Sequence, residues 1–146
     1  MNTWKDKNPG FEYIFWNEAE LVKRQMTLVC QDKIDSIEEL CGKADIIRME
    51  ILLKYGGIYI DADSICIEPI DDILMSTKGF AGYENEQARP GLVANGTMGF
   101  PPNHPLCKAA VKWILNNEVS QRATKKRAWQ TVGPMLLTSL FQTGLF

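Results

Sequence analysis

Residues 44–72 read ADIIRMEILLKYGGIYIDADSICIEPIDD, and they contain a helical pattern, a glycine pair, a short apolar run and two aspartates, in that order. Over Asp45–Tyr55 the apolar side chains recur at the spacing of one helix face. Gly56-Gly57 ends the predicted helix, because glycine readily adopts the left-handed conformation of a C-cap. Ile58–Ile60 is β-branched and aromatic, which predicts a short buried strand. This order of elements predicts an α/β domain.

Two aspartates, Asp61 and Asp63, follow the predicted strand and are separated only by Ala62. Ligands of open α/β sheets bind beyond the carboxyl ends of the strands. Carboxylates at i and i+2 lie on one side of an extended chain, and such a pair suits a divalent cation that also binds phosphate oxygens. The pair does not suit glycoside hydrolysis, in which two carboxyls flank the sugar. An Asp-x-Asp triplet also arises by chance, so the triplet alone leaves both interpretations open.

The residues around the two aspartates carry a more specific pattern. It resembles the signature of the DxD sugar transferases, which are the mannosyltransferases of glycosyltransferase family 32 and relatives that include glucosylating bacterial toxins. That signature runs A-[SD]-x-x-R-x-x-x-L-x-x-x-G-G-x-Y-x-D-x-D. Nine residues fall in register with it: Ala44, Asp45, Arg48, Leu52, Gly56, Gly57, Tyr59, Asp61 and Asp63.

The resemblance implies a fold and a reaction. The fold would be a GT-A (Rossmann-like) α/β domain with a mixed sheet flanked by helices. The reaction would move a sugar from a UDP- or GDP-linked donor to a hydroxyl of a glycan or lipid-linked acceptor, with retention of anomeric configuration. Synthesis of capsule, lipopolysaccharide or another surface glycan would be the setting. The sequence offers no evident carboxylate nucleophile, so no covalent sugar–enzyme intermediate is expected.

The resemblance also implies a catalytic set of Asp61, Asp63 and Asn95. Mn²⁺ or Mg²⁺ would be held through Asp63, with Asp61 bound directly or through water, and would neutralise the departing diphosphate. Asn95 would lie on the side of the reacting sugar. Its alternative role is that of a turn residue, since Asn95 precedes Gly96 and Asn-Gly is the commonest tight-turn dipeptide.

The donor-binding residues implied by the resemblance are Asp45, Arg48, Gly57 and Tyr59. Asp45 and Arg48 would orient the donor, and Tyr59 would pack or donate a hydrogen bond beside it. Two structural alternatives stay open. Asp45 could be an acidic residue favoured by the helix dipole, and Arg48, one turn further on, could be its ion-pair partner.

The remaining sequence predicts further elements and continues the resemblance. Phe11–Trp16 alternates like a strand, Asn17 caps a helix over residues 18–27, and Ile73–Met75 predicts a short helix. A strand at residues 79–83 precedes a polar segment, residues 84–90, which we expect at the edge of the acceptor site.

Two later segments also match the family. Residues 92–100 followed by PPNHP resemble its second motif, and the T-x-G-P run ending at Pro134 matches its entry into a helix. His104 lacks a serine or cysteine at nucleophile spacing and is interpreted as structural.

Composition limits the remaining possibilities. The chain has 146 residues, 45% hydrophobic and 23% charged, which predicts one globular domain over residues 1–146. A net charge of −2 gives no indication of a nucleic-acid partner. No stretch is long and apolar enough to span a membrane, which leaves peripheral association open, and no signal peptide is evident. Four scattered cysteines favour reduced thiols in a cytoplasmic protein, with two disulfides in an oxidising compartment as the alternative, and the single histidine argues against zinc.

Family members usually begin with a further strand of the type I-P-K-I-I-H-Q-x-W, and many continue to a C-terminal segment that completes the metal and phosphate shell. Neither pattern occurs in this sequence. The alternatives are therefore a fragment, a short version, or a protein to which another chain supplies the strand. Two rival functions follow: a truncated inactive remnant or assembly module of the same fold, and a carbohydrate-binding module with calcium at Asp61 and Asp63.

Overall fold

The computed structural model describes residues 2–72 and 78–144. The helices in this part of the chain are α1 Asn2–Lys7, α2 Glu18–Lys23, α3 Gln31–Ser36, α4 Leu40–Tyr55, α5 Pro105–Asn116, α6 Gln121–Thr124, α7 Ala128–Thr131 and α8 Pro134–Gln142. The strands are β1 Gly57–Ile60, β2 Phe80–Tyr83 and β3 Val93–Phe100. The predicted helix at Ile73–Met75 lies outside the described residues. A three-stranded sheet with helices before and after it in the chain confirms the predicted α/β class.

β3 is the central strand of the sheet, whose order is β1-β3-β2. β1 pairs with it antiparallel, from Gly57 opposite Phe100 to Ile60 opposite Thr97. β2 also pairs antiparallel, with an irregularity between Ala81 and Tyr83. The prediction of a mixed sheet is therefore corrected for the described strands, which pair only antiparallel. A further strand was predicted at Phe11–Trp16, and that segment pairs with none of the described strands.

Phe11–Trp16 is not a strand, since Phe11 lies in a bend and residues 12–16 have no regular secondary structure. Its alternating aromatic residues satisfy the strand pattern, yet a strand also needs a partner for its backbone groups. In the described part of the chain no backbone hydrogen bond is donated from Glu12–Trp16. A groove of about 240 Å³ is lined by residues 12–16, by the end of α4 and by β1. The prediction of a strand here is therefore wrong, because nothing pairs with the segment across the groove.

α4 is the central helix and carries much of the core. It begins at Leu40, four residues before the predicted start, and ends as expected at Gly56, whose φ is 65°. Only glycine fits at that position, because a Cβ atom would lie 2.5 Å from the backbone nitrogen of Pro102. The turn reverses the chain, so that β1 runs back along α4. The fully buried side chains shared by α4, β3, α5 and α8 include Ile46, Met49, Met98, Leu106, Ile114 and Leu137.

α2 is shorter than predicted. Asn17 caps it as expected, accepting a hydrogen bond from the backbone N–H of Glu20 at 2.9 Å. The helix ends at Lys23 because the backbone turns left-handed at Gln25, with φ of 50°. Among the described residues no helix is long and apolar enough to cross a membrane.

Candidate active site

The candidate site lies at the end of the sheet where β1 stops and β3 begins. Because the two strands are antiparallel, the residue after β1 lies opposite the first half of β3. The backbone N–H of Asp61 accordingly donates to the carbonyl oxygen of Gly96 at 2.8 Å. The first half of α4 reaches the same end, since the turn at Gly56 sets α4 and β1 antiparallel. Loop 84–92, between β2 and β3, also lies here.

Asp61 and Asp63 lie in a turn and not on an extended chain, which corrects the expectation from their spacing. The backbone N–H of Ser64 donates to the carbonyl oxygen of Asp61 at 3.1 Å, and the Ser64 hydroxyl donates to the same oxygen at 2.6 Å. Ser64 thereby uses the carbonyl group that a continuing strand would offer to its neighbour. The turn holds Ala62 and Asp63 at the surface.

α1 fixes this turn from outside, a contact that the sequence did not predict. The indole N–H of Trp4 donates to the Ser64 hydroxyl oxygen at 3.0 Å. The side-chain oxygen of Asn8 accepts from the backbone N–H of Ile70 at 2.8 Å. The backbone N–H of Cys66 also donates to the Thr3 hydroxyl oxygen at 3.1 Å, so the first eight residues hold the segment after Asp63 at Ser64, Cys66 and Ile70.

The Asp61 carboxylate is partly exposed and is oriented by two neighbours. The Tyr59 hydroxyl donates to its Oδ1 atom at 2.9 Å, and Nη1 of Arg48 lies 3.4 Å from the same oxygen. The other oxygen faces Gly96, where a Cβ atom would lie only 2.6 Å away. Gly96 is therefore required for the observed position of Asp61.

Asp45 and Arg48 form a buried ion pair near the middle of α4. Nη2 of Arg48 lies 3.1 Å from Oδ1 of Asp45, and the side-chain amide of Asn95 donates to that same oxygen at 2.9 Å. Oδ2 faces Gly133, whose missing side chain leaves room for it: a Cβ atom there would lie 2.5 Å from the oxygen. The predicted residues Asp45, Arg48 and Asn95 are thus brought together.

The Arg48 guanidinium connects this pair to Asp61. Its Nε donates to the carbonyl oxygen of Ala44 at 3.3 Å, and Nη1 donates to the carbonyl oxygen of Asn95 at 2.6 Å. The group also lies over the Tyr59 ring, 4.3 Å from its centre. Every described neighbour of the guanidinium is therefore a carbonyl, a carboxylate or an aromatic face, as expected for a buried cation. The alternative in which Arg48 pairs with Asp45 is seen in the structure.

Burial changes the acidity of two of these groups. It raises the pKa of Asp45, while the charge of Arg48 and the hydrogen bond from Asn95 oppose the rise. It also raises the pKa of Tyr59 to about 12, with the hydrogen bond to Asp61 acting in the same direction. The Tyr59 hydroxyl therefore stays protonated at neutral pH and remains a donor to Asp61.

Asp63 differs from Asp61, because it is exposed and makes no hydrogen bond or ion pair with the described residues. No cluster of three or more His, Cys, Asp or Glu residues that could hold a metal ion occurs within residues 2–72 and 78–144. Asp61 and Asp63 would leave part of the coordination shell of a bound ion open. This suits Mg²⁺ or Mn²⁺, which keep several waters and bind substrate phosphates. The two carboxylates fit a closed all-protein site poorly.

Gly57 is the one predicted donor-binding residue that the structure places elsewhere. It begins β1, whereas Asp61 follows the other end of that strand. At ~3.3 Å per residue, Gly57 and Asp61 are about 13 Å apart along the strand. Its φ of 96° explains why glycine is needed there. The glycine pair therefore serves the turn after α4, and the geometry gives no support to a donor contact by Gly57.

Three contributing residues were not predicted as part of the site: Gly96, Gly133 and Trp4. Gly96 was noted only as the second half of a turn dipeptide, and Gly133 only as a helix entry. Both lie next to a carboxylate that is distant in sequence, so no local pattern could have identified them. His104, in contrast, is structural as predicted, since its Nδ1 caps α5 by accepting from the backbone N–H of Leu106 at 3.3 Å.

The α/β fold and the acidic turn at the end of β1 define a glycosyltransferase domain. The family model described as "Glycosyltransferase sugar-binding region containing DXD motif" matches residues 1–80, which is more than half of the chain, and the chain belongs to this family. The solved structure of the PaToxG glycosyltransferase is similar in fold, with a TM-score of 0.60 over 90% of this chain and 45% of that one, at 17% sequence identity. The predicted GT-A fold is confirmed.

Two fungal proteins are similar in sequence along most of the chain. Mannosyl phosphorylinositol ceramide synthase SUR1 of Saccharomyces cerevisiae is 27% identical over 140 residues, which are 94% of this chain and 35% of that protein. Inositol phosphoceramide mannosyltransferase 3 of Schizosaccharomyces pombe is 25% identical, over 93% of this chain and 37% of that protein.

A human relative matches a shorter region. Alpha-1,4-N-acetylglucosaminyltransferase is 29% identical over 99 residues, covering 68% of this chain and 25% of that protein. The chain thus spans little more than a third of the length of the fungal relatives and less of the human one.

Proposed function

We propose that this protein is a metal-dependent, retaining glycosyltransferase. It would move a sugar from a UDP- or GDP-linked donor to a hydroxyl of a glycan or lipid-linked acceptor. The observation that carries the proposal is the connected cluster of Asp45, Arg48, Tyr59 and Asp61 beside the exposed Asp63, in a chain of the DXD family. The names of the relatives, which specify mannosyl and N-acetylglucosaminyl transfer, suggest a hexose donor. The proposal includes a cytoplasmic location.

The charge of the cluster supports the metal. Asp45, Asp61 and Asp63 carry three negative charges when ionised, and Arg48 carries one positive charge, so two negative charges are in excess. A nucleoside diphosphate would be repelled by that excess. Asp61 and Asp63 are the residues that would hold Mn²⁺ or Mg²⁺, and such an ion stabilises the charge of the departing diphosphate when bound.

The protein's own groups would position the donor. Tyr59 fixes one oxygen of Asp61, and the oxygen beside Gly96 accepts no hydrogen bond from the residues that the structure describes. Asn95 uses its amide N–H for Asp45 and its backbone carbonyl for Arg48. Its amide oxygen makes no hydrogen bond to the described residues and is therefore available to a sugar hydroxyl.

The surroundings of Asp45 favour a mechanism without a covalent sugar–enzyme intermediate. The Asp45 side chain is only 7% exposed, and its carboxylate is closed in by Arg48, Asn95 and Gly133. A nucleophile must instead reach the reacting carbon at about 3–3.5 Å. Retention is tested by the anomeric configuration of the product, read from its one-bond C1–H1 coupling constant by NMR; an inverted product would contradict this part of the proposal.

The first experiment measures binding by calorimetry. UDP- and GDP-linked mannose, glucose and N-acetylglucosamine are titrated into the wild type with and without MnCl₂. The same titrations use Asp63→Asn and, as a matched control, Asp32→Asn, which removes an exposed carboxylate from the first turn of α3. Metal-dependent binding that is lost in Asp63→Asn and kept in Asp32→Asn supports the proposal, and the preferred base identifies the donor class. Metal-independent binding, or equal binding by both variants, would contradict it.

A second candidate function, an assembly module that is completed by an added strand, is favoured by the groove along β1. In the described chain β1 pairs only with β3, and residues 12–16 line a groove of about 240 Å³ together with β1. Tyr13, Trp16, Tyr55 and Ile58 give the groove an apolar lining. Open edges of this kind accept an additional strand through main-chain hydrogen bonds.

Hydrogen exchange distinguishes this second candidate. In the protein alone, the amides of Glu12–Trp16 should exchange rapidly, because they donate no backbone hydrogen bond. A synthetic peptide with the family's I-P-K-I-I-H-Q-x-W pattern should protect them and the outer amides of β1. A scrambled peptide is the control. Unchanged exchange at saturating peptide would rule out strand addition at this groove.

A further inference from the structure

Asp61 and Asp63 are held in position in different ways, although both belong to the acidic turn at residues 61–64. The Asp61 carboxylate is oriented by side chains, since the Tyr59 hydroxyl donates to it at 2.9 Å and Arg48 lies 3.4 Å away. The exposed Asp63 carboxylate makes no such contact with the residues that the structure describes. Its position relative to Asp61 therefore depends on the backbone of the turn.

The Ser64 hydroxyl closes this turn. It donates to the carbonyl oxygen of Asp61 at 2.6 Å, a shorter bond than the 3.1 Å one from the Ser64 backbone N–H. A hydroxyl has a single hydrogen and rotates to suit its partners, so its direction depends on what else it contacts. The indole N–H of Trp4, which can only donate, binds the hydroxyl oxygen at 3.0 Å. Because Trp4 occupies the accepting side of the hydroxyl, the hydrogen stays directed at Asp61.

The indole of Trp4 is itself held by the contacts of its neighbours in sequence. The Thr3 hydroxyl oxygen accepts from the backbone N–H of Cys66 at 3.1 Å, and the Asn8 side-chain oxygen accepts from that of Ile70 at 2.8 Å. The side-chain amide of Asn8 also donates to the carbonyl oxygen of Trp4 at 3.1 Å. The half-buried Trp4 is thus fixed between two points at which α1 and Asn8 grip the segment after the turn.

We infer that Trp4 is a positioning residue for the metal site: through the Ser64 hydroxyl it fixes the turn that sets the place of Asp63. The inference rests on the proposed function and adds to that site a residue from outside the acidic turn. Metal–ligand distances tolerate only about 0.2 Å, so a turn that opens slightly moves Asp63 out of reach of an ion that Asp61 holds. Groups that orient a metal ligand from outside the coordination shell typically change metal affinity by about 10- to 100-fold.

The coupling between Trp4 and the metal site acts in both directions. If the docking of α1 strengthens metal binding, a bound ion strengthens the docking of α1 by the same factor. The backbone amides of Cys66 and Ile70 report on this docking, because each donates to a side chain of the first eight residues. Hydrogen exchange at these amides should slow when MgCl₂ is added to the wild type and should not slow in Asp63→Asn. Unchanged exchange in the wild type at saturating metal would contradict the coupling.

The main test measures Mn²⁺ binding from the signal of the free ion in electron paramagnetic resonance, alone and with UDP or GDP. Trp4→Phe removes the N–H donor and keeps an aromatic ring, Ser64→Ala removes the hydroxyl, and Ser64→Thr keeps it. The matched control is Trp113→Phe on α5, at a half-buried tryptophan whose indole N–H makes no hydrogen bond to the described residues. We expect Trp4→Phe and Ser64→Ala each to weaken Mn²⁺ binding at least about tenfold. Ser64→Thr and Trp113→Phe should bind Mn²⁺ like the wild type, and equal affinity in Trp4→Phe and Trp113→Phe overturns the inference.

Two further measurements separate positioning from a general loss of stability. The double variant Trp4→Phe/Ser64→Ala should bind Mn²⁺ no more weakly than Ser64→Ala, because both changes interrupt the same chain of hydrogen bonds. Additive losses would mean that Trp4 acts by another route and would overturn the inference. Urea unfolding in EDTA gives the folded fraction of each variant. Weaker Mn²⁺ binding by a fully folded Trp4→Phe supports the inference, whereas a loss that matches the unfolded fraction overturns it.

Donor binding, measured on the same samples with UDP- and GDP-mannose, distinguishes the inference from the proposed function. Mn²⁺ binding that depends on Asp63 and Trp4, without binding of either donor, removes the proposed function and keeps the inference. Mn²⁺ and donor binding that is lost in Asp63→Asn and unchanged in Trp4→Phe removes the inference alone. Mn²⁺ binding that is absent under all conditions, or equal in Asp63→Asn and the wild type, overturns both.

Discussion

Replacing Gly96 with alanine is expected to disable the candidate metal site while leaving the fold intact. Gly96 lies on β3 with an ordinary backbone conformation, so alanine meets no conformational strain. The new Cβ atom would lie 2.6 Å from Oδ2 of Asp61. The nearest obstacle is thus the end of a partly exposed side chain, which can move without disturbing the core.

The size of the effect follows from that distance. The Asp61 oxygen must retreat by about 0.8 Å to reach ordinary contact at 3.4 Å. Metal–ligand distances tolerate only about 0.2 Å, and the 2.9 Å hydrogen bond from Tyr59 is strained by the same movement. We expect the affinity for Mn²⁺ and nucleotide sugar to fall by about 10- to 100-fold, or ~1.4–2.8 kcal/mol.

The assay pairs calorimetric titration of the donor in MnCl₂ with urea unfolding of the same samples. Gly82→Ala is the control, because a Cβ atom at Gly82 of β2 meets nothing within 4 Å. Both variants should keep a free energy of unfolding within about 1 kcal/mol of the wild type. If Gly96→Ala binds donor as tightly as Gly82→Ala, the reasoning about Asp61 is refuted.

Three further predictions concern the cluster and His104. Arg48→Met leaves Asp45 buried without its counter-ion and should lower the free energy of unfolding in urea by about 3–5 kcal/mol; a loss below 1 kcal/mol would contradict a buried pair. Tyr59→Phe should weaken donor binding several-fold. In the wild type, deprotonation of Tyr59 should not change the affinity for the donor up to pH 9, since the pKa of Tyr59 is about 12. Burial lowers the pKa of His104 below 6.5, so the unfolded chain binds more protons there and stability should fall as pH drops through this range. His104→Asn, which keeps an acceptor for the helix cap, should remove that slope, as measured by urea unfolding at pH 5–7.5.

The central helix and strand could be predicted from sequence because their causes are local. The helical spacing after Asp45, the glycine pair and the apolar run at Ile58–Ile60 each act within a few residues. The position of Asp61 at a strand end follows from the same signals. Its proximity to Asp45 then follows from one tight turn, which sets β1 back along α4.

The failures are non-local in origin. Phe11–Trp16 has the pattern of a strand, but pairing depends on a neighbour that the described chain does not place beside it. The turn at Asp61–Ser64 depends on a hydroxyl group whose position is fixed by Trp4, sixty residues away in sequence. Gly96 and Gly133 matter only because a carboxylate lies against each. No periodicity within a short window contains that information.

The two interpretations of Arg48 are best combined. Its bonds to the Asn95 carbonyl and to Asp45, at 2.6 and 3.1 Å, are the short ones and fix the guanidinium in place. Its 3.4 Å contact with Asp61 is longer and reaches a partly exposed carboxylate. Of the contacts of Arg48, the one with Asp61 is the one whose replacement by a phosphate oxygen would cost the least free energy, because the Asp61 carboxylate can then bind another partner. Arg48 would thus serve the fold through Asp45 and the donor through the Asp61 side, so Arg48→Met should lose stability and donor binding together.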